Sequence, residues 1–189
     1  MVHPQETVLP LLILPGKAWW SAAMQPGAQI GLDEPFPKQT FRNRIRLSQR
    51  TAPAHGLSAH SGLDASDWLD FSIPMAHDAG RTGWNARMDP SSPWRKHLWR
   101  TLQTHWSPLP FWEVLGPELE PLVLDSEPLW HRYVYQLNSW MAAQWGAALP
   151  PLVQKRPTLD FSPKKGILAE SGGVSWTETL LREGPALYL

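Results

Sequence analysis

The chain of 189 residues contains no cysteine. That excludes a disulfide framework, a thiolate nucleophile and any metal site built on sulfur ligands, and it fits a reducing compartment. Net charge is missing too, because 17 basic residues balance 17 acidic ones. A nucleic-acid binder that works through bulk positive charge is therefore disfavoured, although a local basic stripe is not. The apolar stretch near the start, Val8 to Leu14, is broken by Pro10 and is far shorter than the roughly 20 residues that cross a bilayer. His3 and Glu6 precede it, not the basic cluster of a signal peptide. The expectation is a soluble cytoplasmic protein without membrane insertion. No glycine-rich phosphate loop appears, neither the dinucleotide fingerprint nor a P-loop lysine signature. No cofactor is expected. His55 and His60 have no third ligand at a familiar spacing, so no metal is expected either.

Two residue types are in excess, with 12 tryptophans and 20 prolines. Tryptophan is a large apolar body with one donor, suited to cores, interfaces and stacking surfaces alike. The prolines confine regular elements to short pieces. The pattern predicts a single domain over residues 1–189, with a surface loop at 49–67 and an irregular tail from 150. Strand-like segments gather early: Val8 to Leu14, Ala28 to Asp33, Phe36 to Arg46, Trp68 to Met75 and Trp84 to Asp89. One short helix, Lys17 to Met24, falls among them. Helical periodicity dominates later. Ser92 and Pro93 predict an N-cap and first helical position for a helix over 93–106, followed by two proline-broken turns (108–115 and 118–124) and a long helix over 127–148. Beyond 150 the reading is a short strand or coil at 158–161, a turn at Gly172-Gly173 and a short helix over 177–182. Strands first and helices later predict an α+β fold, with a mixed or antiparallel sheet in the N-terminal half packed by a helical C-terminal half.

The stretch that stands out is Phe36 to Arg46. In a strand, alternate side chains share a face. Phe41, Asn43, Ile45 and Leu47 then lie on one side, and Arg42, Arg44 and Arg46 on the other. Three guanidiniums on one face call for anions, either protein carboxylates or a ligand's phosphate or carboxylate. Asn43 sits among apolar neighbours, where an amide needs its hydrogen bonds met. In the 93–106 helix, Trp94, Leu98, Trp99, Leu102 and Trp106 form an apolar arc. Arg95 projects into that arc, and Lys96, Arg100 and Gln103 lie opposite. His97 heads a flank with Thr101 and His105.

The order of these motifs resembles the WbqC-like family of bacterial proteins. The resemblance is carried by Lys38-Gln39-Thr40-Phe41-Arg42-Asn43-Arg44, then Ile73-Pro74, then Trp94-Arg95-Lys96-His97-Leu98-Trp99-Arg100, then Pro108-Leu109-Pro110-Phe111-Trp112, and Asn138 in the following long helix. It covers roughly Leu9 to Trp145. The family's N-terminal glutamine-proline or tyrosine-containing signature is replaced here by Leu9-Pro10-Leu11-Leu12-Ile13-Leu14-Pro15-Gly16.

The resemblance implies a role in surface polysaccharide (O-antigen) biosynthesis, as a transferase moving an acyl or aminoacyl group, glycine-like, to an amino sugar. Its partners would be a nucleotide-linked or lipid-linked sugar and an activated acyl donor. On that reading Lys38, Arg42, Arg44 and Arg46 hold phosphate, with Arg95 and Arg100 completing the binding set. His97 acts as general base, half shielded beside the apolar arc, because histidine titrates near neutrality. Asn43 donates to the developing oxyanion, and Trp94 and Trp99 stack on sugar or base. No recognisable nucleophile motif is present, so a covalent acyl-enzyme is not expected. Each of these residues also has a structural reading: a helix histidine, a charge-paired stripe, core tryptophans and an arginine reaching past apolar surface. A non-catalytic protein that binds nucleotide, RNA or an acidic partner through the same face is the alternative. A third reading is an assembly subunit with a tryptophan-rich interface.

Overall fold

A computed structural model describes residues 6–36, 42–48, 68–77 and 82–159. Lys38, Phe41, the 49–67 loop with His55 and His60, the turn at Gly172-Gly173 and the helix expected over 177–182 lie outside the described residues.

The chain opens with a small parallel unit. Strand β1 (Val8–Pro10) leads through a buried loop to helix α1 (Lys17–Ala23), and α1 returns the chain to β2 (Gln29–Gly31). β1 and β2 pair in parallel, Leu9 opposite Ile30. A two-residue strand from far along the chain, β5 (Leu152–Val153), pairs with the other side of β2 and gives the order β1-β2-β5. Only the first three residues of the expected 8–14 strand are extended into the sheet. Leu11 to Leu14 are as buried as a strand would be, but as loop.

The tail from 150 therefore begins as sheet, not as irregular chain. After β5 it stays on the sheet: Asp33 N–H donates to the Lys155 carbonyl at 3.1 Å, and Thr158 N–H donates to the Val8 carbonyl at 2.7 Å. Lys155 also pairs with Glu6. This course explains Gly31. A Cβ there would stand 2.5 Å from the Lys155 carbonyl oxygen and 2.7 Å from a Val8 methyl, so only glycine fits beneath the crossing segment.

The second sheet is a two-stranded antiparallel ribbon of β3 (Arg44–Ser48) and β4 (Trp68–Ser72), in the register Arg44–Ser72, Ile45–Phe71, Arg46–Asp70 and Leu47–Leu69. Asn43, Ile45 and Leu47 point inward and are buried, while Arg44 and Arg46 point outward. The two-residue alternation is thus realised from Asn43 onward. The segment expected as a strand over 84–89 is instead a turn at Gly83 to Asn85 followed by single bridges, Met88 to Met75 and Arg87 to Leu129. Its backbone groups are drawn to two different stretches, residues 74–76 and 128–130, and among the described residues no single strand runs beside it.

Three helices follow: α2 (Trp94–Trp106), α3 (Trp112–Val123) and α4 (Trp130–Gln144). Pro93, with ψ of 30°, occupies the cap position itself, and no serine side chain caps the helix. The polar lead-in is an Asp89 turn, whose carboxylate accepts from Ser91 N at 2.9 Å and from Ser91 Oγ at 2.7 Å. α3 runs unbroken through Pro117 and Pro121, against the expectation of two separate turns. Both prolines are exposed, so the carbonyls left without a donor turn to water, which lowers the usual cost. α4 starts after a stepped turn, with Glu127 N–H on Asp125 Oδ1 and Leu129 N–H on Glu127 Oε1. It ends before Gly146 at φ 65°, where glycine carries no steric penalty.

One core joins these elements. The predicted α2 arc is buried as read, and α4 buries Trp130, Tyr133, Val134, Leu137 and Met141. Asn138 is fully buried as well, because α4 also packs the β1–α1 loop. Several aromatic pairs meet edge to face, among them Trp19 on Trp20, Trp20 on Trp145, and Trp94 on Tyr133. The α+β expectation holds, with small sheets gathered largely in the first half and long helices in the second. Among the described residues no helix is long and apolar enough to cross a membrane.

Candidate anion-binding face

The three arginines of the β3 region meet three different environments. Arg42 is turned back on the chain before it. It pairs with Glu34 at 2.5 Å, reaches the Pro35 carbonyl at 3.3 Å and lies over the Phe36 ring. Arg46 makes a two-pronged pair across the ribbon, Nε to Asp70 Oδ1 at 2.7 Å and Nη2 to Oδ2 at 2.8 Å. That bond holds the Asp70 carboxyl below its ordinary value, with partial burial opposing it and the charges of Arg46 and Arg44 adding to it. The Arg46 guanidinium is raised by the same partnership. Arg44, opposite Ser72, is exposed and makes no ion pair among the described residues. The stripe read from sequence thus resolves into two arginines answered by protein carboxylates and one directed to solvent. Sequence reasoning left Asp70 and Glu34 unassigned as those partners. Asp70 was legible, since alternation alone places it on the polar face of β4.

Asn43 is 7% exposed, and its side-chain amide donates to the Ile73 carbonyl at 2.6 Å. Its Oδ1 is buried without a partner among the described residues. The spare capacity that is buried here is an acceptor, which suits an N–H or O–H group better than an oxyanion.

The α2 residues divide differently from the expectation. Trp94 is 2% exposed and Trp99 7%. Trp94 packs on Tyr133 and Trp99 stacks on Trp112 at 5.4 Å, so neither offers a ring face to a ligand as arranged. The α2 arc that made them visible is a core arc. Arg95 lies over the Trp94 ring at 4.4 Å and donates to the Glu127 carbonyl at 2.7 Å. Burial lowers its guanidinium from the ordinary value, while Tyr133, Asp125 and Glu127 oppose that. It locks α2 to the lead-in of α4. His97 and Arg100 are exposed on the outer side of α2; His97 is not half shielded, because its flank faces away from α4. Lys38 lies outside the described residues.

The chain links the Arg44 end of the ribbon to the start of α2. Ser72, opposite Arg44, runs into Ile73 and Pro74, and the Pro74 carbonyl accepts from Asp89 N–H at 2.9 Å just before the helix. Among the described residues no cluster of three histidine or carboxylate side chains forms that could hold a metal. No family model, curated protein or solved structure matches the chain.

Proposed function

We propose that the protein is WbqC-like and acts in bacterial surface polysaccharide (O-antigen) synthesis, passing an acyl or aminoacyl group to an amino sugar carried on a nucleotide or lipid phosphate. One observation carries this reading. Arg44 stands exposed and unpaired among the described residues, between two arginines whose charges the protein itself answers. A guanidinium left open beside a fixed ion pair is a ready phosphate contact, since its planar fork binds such oxygens in a defined orientation. The motif order from the arginine segment to Asn138 supports the same assignment. In the transfer the sugar amine nitrogen forms a bond to the donor carbonyl carbon, the donor's leaving group departs with its bonding electrons, and the amine gives up a proton. His97, exposed on the helix that follows the ribbon, is the proposed proton acceptor.

The test is calorimetric titration of uridine diphosphate and uridine-diphosphate glucosamine into the wild-type protein, Arg44→Ala and Arg44→Lys, at about 50 and 200 mM salt. Binding that weakens at least tenfold in Arg44→Ala, recovers partly in Arg44→Lys and falls with salt supports the phosphate face. Binding indifferent to Arg44, or seen only with RNA, removes it. A radiolabelled acyl-transfer assay with His97→Ala then separates the transferase from the non-catalytic binding protein that would use the same face.

A further inference from the structure

The outer face of α3 collects apolar side chains that the core does not use. Val114 is 65% exposed and Leu124 38%, and Pro117 and Pro121 are exposed between them. At about 100° per residue, these four positions make one line along the helix. Leu124, the cap residue, keeps right-handed helical backbone angles and so extends that line. The opposite side, with Leu115, Leu119 and Val123, enters the core. The other large apolar residues exposed among the described residues, Met24 and Leu159, stand elsewhere in the chain.

The prolines add acceptors to this line. Proline has no N–H, so inside a helix it leaves the carbonyl four residues earlier without its usual donor. Pro117 does this to the Glu113 carbonyl, and Pro121 to the Pro117 carbonyl. Both carbonyls belong to residues of the exposed face. Interior prolines weaken a helix, and neither of these is part of the core.

Charge completes the pattern. α3 carries Glu113, Glu118 and Glu120 and no lysine or arginine. Helical phase sets Glu113 and Glu120 on one flank of the apolar line and Glu118 on the other. All three are exposed, and none forms an ion pair among the described residues. Glu118 accepts from Trp140 Nε1 at 3.0 Å and Gln144 Nε2 at 3.3 Å, neutral donors that leave its charge in place.

We propose that this face of α3 docks a basic amphipathic helix of another protein. The partner's apolar side chains would lie on the line from Val114 to Leu124, and its lysines or arginines over the flanking carboxylates and the two opened carbonyls. An apolar line flanked by one sign of charge matches an amphipathic helix of the other sign. The same charge disfavours other occupants. A second copy laid α3 against α3 would match the two apolar lines but would bring the carboxylates of both chains together. The α2 helix of a second copy offers Lys96 and Arg100, but its exposed face has no apolar side chain to cover the line. Nucleic acids and anionic lipid surfaces meet repulsion from the three glutamates. No residue of the Arg44 face takes part, so the inference stands apart from the transferase reading.

The experiment records nitrogen-15 amide spectra of the full chain while a synthetic leucine–lysine peptide of helical periodicity is added. Two control peptides keep the pattern: leucine–glutamate reverses the charge, and serine–lysine removes the apolar side. The expected result is a set of shifts centred on residues 113–124 with the leucine–lysine peptide and with neither control. Val114→Ser is expected to weaken that binding roughly fivefold. The pair Glu113→Gln and Glu120→Gln is expected to weaken it roughly threefold, and to reduce its salt dependence. The substituted side chains are all exposed, so these variants leave the core intact. No shift, shifts centred elsewhere, or an equal response to either control overturns the proposal. So does self-association in sedimentation that Val114→Ser abolishes, which would give the face to a second copy.

Discussion

On the β3–β4 ribbon, Arg46 stands largely in water and shares Asp70 through two parallel hydrogen bonds. On α2, Arg95 lies partly buried across the rings of Trp94 and Tyr133 and donates to a single carbonyl. The chemical group is the same and the settings are opposite. In the exposed setting the full charge of a carboxylate adds little, because water already solvates both ions and the long side chains lose freedom on pairing. In the helical layer the guanidinium has shed part of its hydration, so each hydrogen bond and each aromatic face counts for more. The ribbon can therefore leave Arg44 without an ion pair among the described residues at small cost, whereas removing a polar contact in the helical layer costs more because less water stands ready to replace it. A surface of the first kind is where recognition can be built, and a layer of the second kind is what holds the fold.

The contrast is sharpest in the helical layer. Trp94→Ala empties a large buried site and is expected to cost about 3–5 kcal/mol, read as the shift in urea unfolding. A loss under 1 kcal/mol would show that α2 does not pack as described. Arg95→Met keeps much of the stem and removes the charged donor. A loss of about 1.5–3 kcal/mol is expected, with Arg95→Lys failing to restore it because an ammonium lacks the planar stacking group.

His131 gives a smaller, pH-dependent signal. Burial holds its imidazole below the ordinary histidine value, Arg132 adds to that, and Glu127 and a backbone hydrogen bond at Trp84 oppose it. The unfolded chain therefore protonates first as pH falls below about 6.5. Stability should be full above that value, decline as pH drops through it toward the folded value, and flatten beneath. His131→Gln should remove that part of the slope in unfolding curves between about pH 7.5 and pH 5.5.

The smallest effect belongs to the ribbon. Arg46→Ala should cost no more than about 1 kcal/mol at neutral pH. It should also soften the acid loss near pH 4, since Asp70, held low by Arg46, stabilises only while ionised. A cost near that of Arg95→Met would erase the distinction between the two regions.

Sequence periodicity by itself determined a good deal. It placed α1, the apolar arc of α2, the long helix α4, and the split of Asn43, Ile45 and Leu47 from Arg44 and Arg46. These follow from spacings of 3.6 and 2 residues, which any packed core must respect. Tertiary structure decided what local pattern cannot carry. Trp94 and Trp99 became core because α3 and α4 cover them, and tryptophan reads alike in a core and on a binding platform. Arg42 became structural because Glu34 folds back to it. The 84–89 alternation did not become a strand because its backbone bonds are divided between two separate stretches, residues 74–76 and 128–130. Leu152–Val153 became sheet only because β2 offered an open edge more than a hundred residues earlier in the chain. The bonds of Asn43 to the Ile73 carbonyl and of Asn138 to the Leu12 carbonyl leave no mark in residue order, since each arises where elements distant in sequence meet.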